Sequence, residues 1–290
     1  MIIGFIGDVH GHVYEAIAAA VTWQMQTGKR FDLLLQVGDL GAFPDPAQMD
    51  AATSRYLAVD PAQLDFSHLL AATGVRAEYL LGIRKQLCSP IYFVRGNHED
   101  FAWLAALPIA EETKTAPVDR FGLFRYVPDG TVLEFDEVRI ACLGRVEKRT
   151  DSEPAGIDRT AYETLLEMSP GSIDVLVTHQ GPYGIGRGFR GQVQGSRLMT
   201  QLIEHLQPAF HLGGHLHHLN GPLTFGPTTY LGLNGLTPSA RWHPEQTGLQ
   251  PGCLAVLDTE AQTLSPVTDP WLSRFPTPVD FEAWAGGLTF

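Results

Sequence analysis

The sequence predicts a layered α/β fold, and two observations support this prediction. Short apolar runs recur along the chain, and each ends at glycine or a polar cluster, which is typical of buried strands. Helical patterns lie between the runs, and such alternation is typical of layered α/β proteins. The runs are residues 2–6, 33–37, 91–94, 175–177 and 210–212, and the helical segments are residues 13–26, 78–86 and 196–206.

Two segments differ from this alternating pattern. Residues 41–77 are rich in alanine and helical in part, over 46–59 and 61–73, so we expect an insertion over the active face. The last thirty residues combine prolines with tryptophans, which predicts an extended tail whose aromatic side chains dock on the body or on a partner. We therefore expect one domain over residues 1–258 and a C-terminal extension, packed on it, over residues 259–290.

Short strands are predicted in the second half of the chain. Residues 121–143 show strand patterns with a turn at Pro128-Asp129-Gly130, and we expect a second sheet to start there. Further strands are expected at residues 224–233 and 253–257.

Composition excludes several classes of protein. Hydrophobic residues make up 44% of the 290, which excludes a mainly disordered chain, and only 18% are charged, which favours a compact enzyme over a coiled coil. The net charge of -12 disfavours long nucleic acids as partners. Cys88, Cys142 and Cys253 form neither a disulfide framework nor a zinc motif. Because no apolar run approaches the ~20 residues of a membrane span and no signal peptide is evident, we expect a cytoplasmic protein without membrane association.

Side chains that bind metal ions occur near the ends of all five apolar runs. In α/β folds ligands gather beyond the carboxyl ends of the strands, so we expect these side chains to share one site. Each motif alone is more often a turn or a surface group, and Asp8 alone would be an ordinary helix cap, but those readings do not explain five clusters together. The candidate ligands are Asp8, His10, Asp39, Asn97, His179, His215 and His217.

The order of these motifs resembles that of the calcineurin-like metallophosphoesterases. GDxHG stands at residues 7–11, GD at 38–39, GNHE at 96–99 and GHxH at 214–217, with His179 between the last two. The resemblance spans residues 1 to about 220. It implies a four-layer αββα sandwich of two mixed β-sheets flanked by helices, with a two-metal site between loops.

The resemblance also implies a role for each candidate ligand. It implies a first metal ion on Asp8, His10 and His217, a second on Asn97, His179 and His215, and a bridge between them at Asp39. A shell of His, Asp and Asn without thiolate suits two divalent ions, Mn²⁺ first, with Fe or Zn as alternatives.

The implied reaction is the hydrolysis of a phosphoester. Two ions would lower the pKa of a shared water, and the resulting hydroxide would attack phosphorus in line. His98 would meet the substrate phosphate and assist the leaving group as a general acid or a cationic clamp; the alternative is a structural hydrogen bond within its loop.

One motif departs from the phosphoprotein phosphatase branch of the family. That branch reads GDxxDRG, and its later Asp orients the histidine that corresponds to His98. Residues 38–43 read GDLGAF, so this Asp is missing, although Asp45 or Asp100 could replace it. The departure and the GHxH ending favour a phosphodiesterase. A phosphomonoesterase is the alternative, and a non-catalytic scaffold is disfavoured because every ligand position is filled.

A narrower similarity concerns the lariat debranching enzymes. GNHE followed by Trp103 to Pro108, and Gly195-Ser196 leading through a helix to His215, are similar to those enzymes. They often carry Cys where this chain has Asp8, and they need a basic surface for RNA. Because neither condition holds, the similarity indicates kinship within the superfamily and assigns no substrate.

A glycine-rich segment after His179 offers candidate substrate contacts. Residues 181–200 contain three arginines and no acid, and we expect Arg187 and Arg190 to bind a phosphate. Pairing of these arginines with surface acids is the alternative. Tyr183 and Phe189 could stack on a base, so the expected substrate is a small phosphoester or a nucleotide.

Overall fold

Two mixed β-sheets pack face to face and carry helices on their outer faces, as the fold class predicted. The computed structural model describes residues 1–148, 154–187, 192–240, 242–243 and 245–288. Within that part of the chain the helices are α1 (Val13–Thr27), α2 (Ala51–Tyr56), α3 (Asp65–Ala71), α4 (Gly74–Gln86), α5 (Phe101–Ala106), α6 (Arg159–Leu166), α7 (Arg197–Leu206) and α8 (Phe281–Gly286). None of these helices combines the length and the apolar character that a membrane crossing requires.

The first sheet joins the start of the chain to its end. Its order is β15 (Thr263–Pro266), β14 (Leu254–Asp258), β1 (Ile2–Ile6), β2 (Leu33–Gln36), β3 (Ile91–Phe93), β5 (Phe124–Tyr126) and β4 (Ala116–Pro117). The strands β1, β2, β3 and β5 are parallel, whereas β14 pairs antiparallel with β1. The carboxyl ends of three neighbouring strands that carry site motifs therefore meet at one edge.

The second sheet has a parallel centre and antiparallel edges. Its order is β12 (Asn220–Phe225), β13 (Thr228–Gly232), β11 (Phe210–Gly214), β8 (Val175–Gln180), β7 (Val138–Leu143) and β6 (Val132–Phe135). The strands β8 and β11 pair in parallel, so the residues near their carboxyl ends meet at one edge. A separate hairpin is formed by β9 (Gly186–Arg187) and β10 (Val193–Gln194).

Alternating side chains of the strands fill separate apolar layers. Ile3 and Phe5 of β1 face the layer between the sheets, whereas Ile6 packs in the layer between the first sheet and its helices. Leu176 of β8 packs with α6 and α7 in a third layer. This twofold periodicity is what a strand buried on both faces requires, and it explains the continuous apolar runs in the sequence.

One strand prediction was confirmed in part and another was wrong. The second sheet does start within residues 121–143, with β6 and β7, but β5 in the same segment pairs in parallel with β3 and so extends the first sheet. The chain passes to the second sheet at the predicted turn around Gly130. The strand expected at 224–233 is two strands, β12 and β13, separated by a turn at Gly226, whose φ of 57° suits glycine.

The insertion packs against the first sheet's helical layer, whereas the C-terminal extension first adds β15 to the first sheet and then packs against the same helical layer. The insertion contains α2 and α3, each preceded by a short 3₁₀ turn. In the extension, the main-chain N–H of Val279 donates to the buried Glu15 of α1, and the Phe281 ring lies 4.5 Å from that of Tyr14. The end of the chain is thereby attached to the helix that follows the first site motif.

Candidate metal centre

The predicted ligands meet at the facing edges of the two sheets. Asp8, Asp39 and Asn97 follow β1, β2 and β3 of the first sheet. His179 lies within β8 of the second sheet, and His215 follows β11. Because these strands run parallel within each sheet, their loops converge on one place.

Four side chains form a first group of donors. One donor atom from each of Asp8, His10, Asp39 and His217 lies within 4.8 Å of all the others. The Nε2 atoms of His10 and His217 are 2.9 Å apart, and His217 Nε2 lies 3.0 Å from Asp8 Oδ2. Ring nitrogens and a carboxylate oxygen at these separations can share one ion.

A second group includes the same Asp39. Donor atoms of Asp39, His179 and His215 also lie within 4.8 Å of one another. His179 Nε2 is 3.4 Å from Asp39 Oδ2 and 3.2 Å from Asn97 Oδ1. The orientation of the His179 ring is fixed by a hydrogen bond at its other nitrogen, because Nδ1 donates to the carbonyl of Val37 at 3.0 Å. That bond directs Nε2 towards the other donors, an arrangement common for histidines that bind metals.

The acid–base properties of these side chains suit divalent cations. Burial lowers the pKa of His10 and of His215 to about 4, so both rings keep a free lone pair at neutral pH. Burial disfavours ionised Asp39, but the neighbouring charge and hydrogen bond of His179 hold the Asp39 pKa well below its usual range. Burial alone would lower the pKa of His179, but the charge of Asp39 and its hydrogen bond outweigh burial and raise this pKa to about 9. A proton on His179 thus balances the negative charge of the nearby carboxylates. A metal ion that binds His179 would displace this proton.

The backbone of the centre is held in uncommon conformations. Four of the predicted ligands have positive φ values: 48° at His10, 54° at Asp39, 71° at His215 and 50° at His217. Such values are uncommon outside glycine and concentrate at functional sites. Gly96 allows the close approach of two loops, since a Cβ there would collide with Asp39. The loops therefore bring the donors together at a conformational cost.

A comparison of sequences identifies the family. The family model described as calcineurin-like phosphoesterase matches residues 1–219. The chain belongs to this family.

Individual matches show similarity over a short stretch of sequence and in fold. Over 62 residues the chain is 37% identical to a UPF0046 protein of Caenorhabditis elegans, a match that spans 21% of this chain and only 21% of that protein's length. The fold is similar to that of the Thermus thermophilus protein TT1561, with a TM-score of 0.52 and 15% identity over 92% of this chain and 98% of that chain. Another crystal structure gives a TM-score of 0.53 and 13% identity at the same coverage. None of these matches bears on the lariat debranching enzymes, and that similarity stays a prediction.

Glu99 of this calcineurin-like phosphoesterase joins two motif loops. Its carboxylate accepts hydrogen bonds from the main-chain N–H groups of Leu40 at 2.9 Å and Ala42 at 2.6 Å. Burial, and then the charge of Asp39, raise the pKa of Glu99 to about 8. The sequence motif GNHE contains Glu99, but sequence reasoning gave it no role, because its partners are main-chain groups.

The acidic partner of His98 is Asp50, which the sequence did not indicate. His98 Nδ1 donates to Asp50 Oδ2 at 2.9 Å. Neither of the expected replacements takes that place. Asp45 accepts from the N–H of Ala47, and Asp100 from that of Trp103, so each caps a helical turn of its own.

The proposed arginine contacts remain predictions. Arg187 belongs to β9, but its side chain lies outside the described residues, as do Arg190 and Phe189 entirely. Arg197 stacks over the ring of Tyr183, with its guanidinium carbon 4.0 Å from the ring centroid. One face of Tyr183 is therefore covered by Arg197, and a base would need the other face.

Proposed function

We propose that this protein is a metal-dependent phosphoester hydrolase with a binuclear centre, and that it acts on phosphodiesters. The shared position of Asp39 in both donor groups carries the proposal, since one carboxylate within reach of two sets of ligands is what a pair of ions requires. Family membership supports the same reaction class.

The candidate ligands form two sets, one for each ion. One ion would be held by Asp8, His10 and His217, the other by Asn97, His179 and His215, and Asp39 would contact both. When bound, two divalent ions supply Lewis acidity and an activated water. We propose Mn²⁺ as the native ion, with Fe or Zn as alternatives, because imidazole, carboxylate and amide donors without thiolate suit these metals.

His98 is the proposed catalytic residue among the groups that bind no metal. Its main-chain N–H donates to Asp39 Oδ1 at 2.8 Å, which keeps it beside the donor groups, and its ring lies 5.5 Å from the ring of His10. With Nδ1 bonded to Asp50, Nε2 is the nitrogen that would give a proton to the leaving oxygen.

The substrate would be a small phosphoester or a nucleotide in the cytoplasm. The net charge of -12 disfavours long nucleic acids, and the three free cysteines suit a reducing compartment. Arg187 and Arg190 are proposed to contact the substrate phosphate.

A panel assay tests the proposal. Protein stripped of metal and reloaded with Mn²⁺, Zn²⁺ or Fe²⁺ is assayed on bis-p-nitrophenyl phosphate and on p-nitrophenyl phosphate. We expect metal-dependent turnover with a higher kcat/KM for the diester. A preference for the monoester would favour the phosphomonoesterase, and absence of turnover with every metal and ester would contradict hydrolysis.

A further inference from the structure

Asp50 makes contacts in two directions at the start of α2. Its Oδ1 caps the helix by accepting from the main-chain N–H groups of Ala52 at 2.7 Å and Thr53 at 2.9 Å. Its Oδ2 accepts from the Thr53 hydroxyl at 2.8 Å and from His98 Nδ1 at 2.9 Å. The cap fixes the carboxylate in place, so its position relative to His98 follows from the position of the helix.

The environment of Asp50 favours its ionised form over its protonated form. Partial burial disfavours the charge, but the hydrogen bonds from His98 and from the N–H of Thr53 hold the pKa of Asp50 below its usual range. A carboxylate can only accept hydrogen bonds, so the proton of this pair is on His98 Nδ1. The other ring nitrogen, Nε2, is then directed away from Asp50.

The insertion that carries Asp50 is itself fixed against the first site motif. Asp60 Oδ2 accepts from His12 Nε2 at 3.0 Å, and a Cβ on Gly11 would lie 2.5 Å from the Cα of Gln63. Backbone contact this close leaves little freedom for the insertion to shift. Asp50 and Asp60 therefore attach the insertion at two points, one beside His98 and one beside the loop of His10.

We propose that Asp50 is a positioning residue for His98, and that the insertion completes the catalytic site by supplying it. This inference rests on the hydrolysis proposed above. As the bond between phosphorus and the leaving oxygen breaks, His98 would donate its Nε2 proton to that oxygen and later regain a proton from water. Asp50 holds the His98 ring in the orientation that this transfer needs, and its carboxylate stabilises the proton on His98 Nδ1 throughout.

Two substitutions separate the cap of Asp50 from its contact with His98. Serine at position 50 still caps the helix but is too short to reach the imidazole, whereas asparagine keeps the size and removes the charge. Asp45→Ser is the matched control, because Asp45 caps the neighbouring 3₁₀ turn at Ala47 and is not bonded to His98. We expect Asp50→Ser to lower kcat by ~10-fold or more for diesters with alkyl leaving groups, and less for p-nitrophenyl esters, which need little protonation. Asp50→Asn should lie between Asp50→Ser and the wild type.

A spectroscopic measurement reports on the pair independently of turnover. Long-range ¹H–¹⁵N spectra of the zinc-loaded protein, with His98 assigned by its absence in His98→Ala, show which ring nitrogen carries a proton. We expect a protonated Nδ1 in the wild type and in Asp45→Ser, and a changed proton distribution in Asp50→Ser.

Combination with His98→Ala distinguishes the possible failures. If Asp50 acts through His98, Asp50→Ser should lower kcat less than ~2-fold further in the His98→Ala background. Additive losses, or an unchanged kcat in Asp50→Ser while His98→Ala is impaired, would overturn the positioning role and leave the proposed hydrolysis intact. An inactive wild type would overturn the proposed function and this inference with it, whatever the spectra show.

Discussion

The Asp39 carboxylate accepts a hydrogen bond from the main-chain N–H of Asn97 through Oδ1, at 2.6 Å. Its other oxygen, Oδ2, lies 3.7 Å from His10 Nε2 and 3.4 Å from His179 Nε2. One oxygen of Asp39 therefore fixes the loop that carries Asn97 and His98, and the other faces both donor groups. A change at this carboxylate should act on the whole centre.

The first prediction concerns Asp39→Asn, which keeps the size of the side chain and removes its charge. We expect both ions to be lost together and turnover to fall by at least ~10²-fold, because the same carboxylate serves both ions. Elemental analysis after reloading checks the metal content, with Asp45→Asn as the control. No more than one tightly bound ion in carefully reloaded wild-type protein would count against a binuclear centre.

The second prediction concerns His98→Ala. Metal content should stay as in the wild type, while kcat falls by ~10²-fold or more, since protonation of the leaving group is lost. The loss should be smaller for p-nitrophenyl esters. If the metal content collapses instead, His98 is a ligand and its assigned role is wrong.

The third prediction concerns the arginine segment. The double variant Arg187→Ala/Arg190→Ala should raise KM for a nucleotide diester by ~10-fold or more, because a guanidinium–phosphate contact contributes about 1.5–3 kcal/mol. Metal content and thermal stability should not change. Lys85→Ala, which removes a charge from the exposed C-terminal end of α4, is the control.

The dependence of KM on ionic strength distinguishes substrate binding by Arg187 and Arg190 from their pairing with surface acids. If they bind substrate, the wild-type KM should rise with ionic strength and that of the double variant should rise less. An unchanged KM for every diester would exclude the arginines from the site and favour the insertion as the determinant of substrate choice.

The fourth prediction concerns Glu99→Gln. An amide offers one acceptor oxygen to the main-chain N–H groups of Leu40 and Ala42, and its own N–H₂ would face a donor. Because the pKa of Glu99 is about 8, the variant and the wild type are compared above that pH, where the wild-type side chain is ionised. There we expect a loss of about 1–3 kcal/mol in the free energy of unfolding, measured with urea, since a buried donor is left unsatisfied. A variant as stable as the wild type would show that the loops hold their positions without this carboxylate.

The fifth prediction concerns the C-terminal extension. Phe281 is buried against Tyr14, and Phe281→Ala should destabilise the protein by about 3–5 kcal/mol through the cavity that it leaves. Urea unfolding measures the effect, and Leu81→Ala, an exposed position on α4, is the control. A change below about 0.5 kcal/mol, the range typical of surface substitutions, would mean that the segment around α8 is not part of the cooperative fold.

The sequence was sufficient to predict the motifs of the centre and the sheets beneath them. Asp8, Asp39 and His215 follow apolar runs after one or two glycines, and parallel strands bring such positions together without any knowledge of side-chain contacts. The contact of Asp50 with His98 could not be predicted in this way. It depends on where α2 begins and how the insertion packs on Gly11, and both are set by tertiary structure. The pairing of β14 with β1 could not be predicted either, because it too is set by tertiary structure: more than two hundred residues separate the two strands in the chain.

The left-handed backbone at His10, Asp39, His215 and His217 limits how this centre could be lost in evolution. Glycine adopts that conformation freely and asparagine or aspartate do so at modest cost, whereas most other residues incur about 1–2 kcal/mol. Histidine at three of these positions already carries that strain. A descendant that abandoned its metals would therefore tend to replace these histidines by glycine, asparagine or aspartate. Alanine there would keep the backbone strain without the ligand, so drift towards glycine is the expected signature of a decayed site.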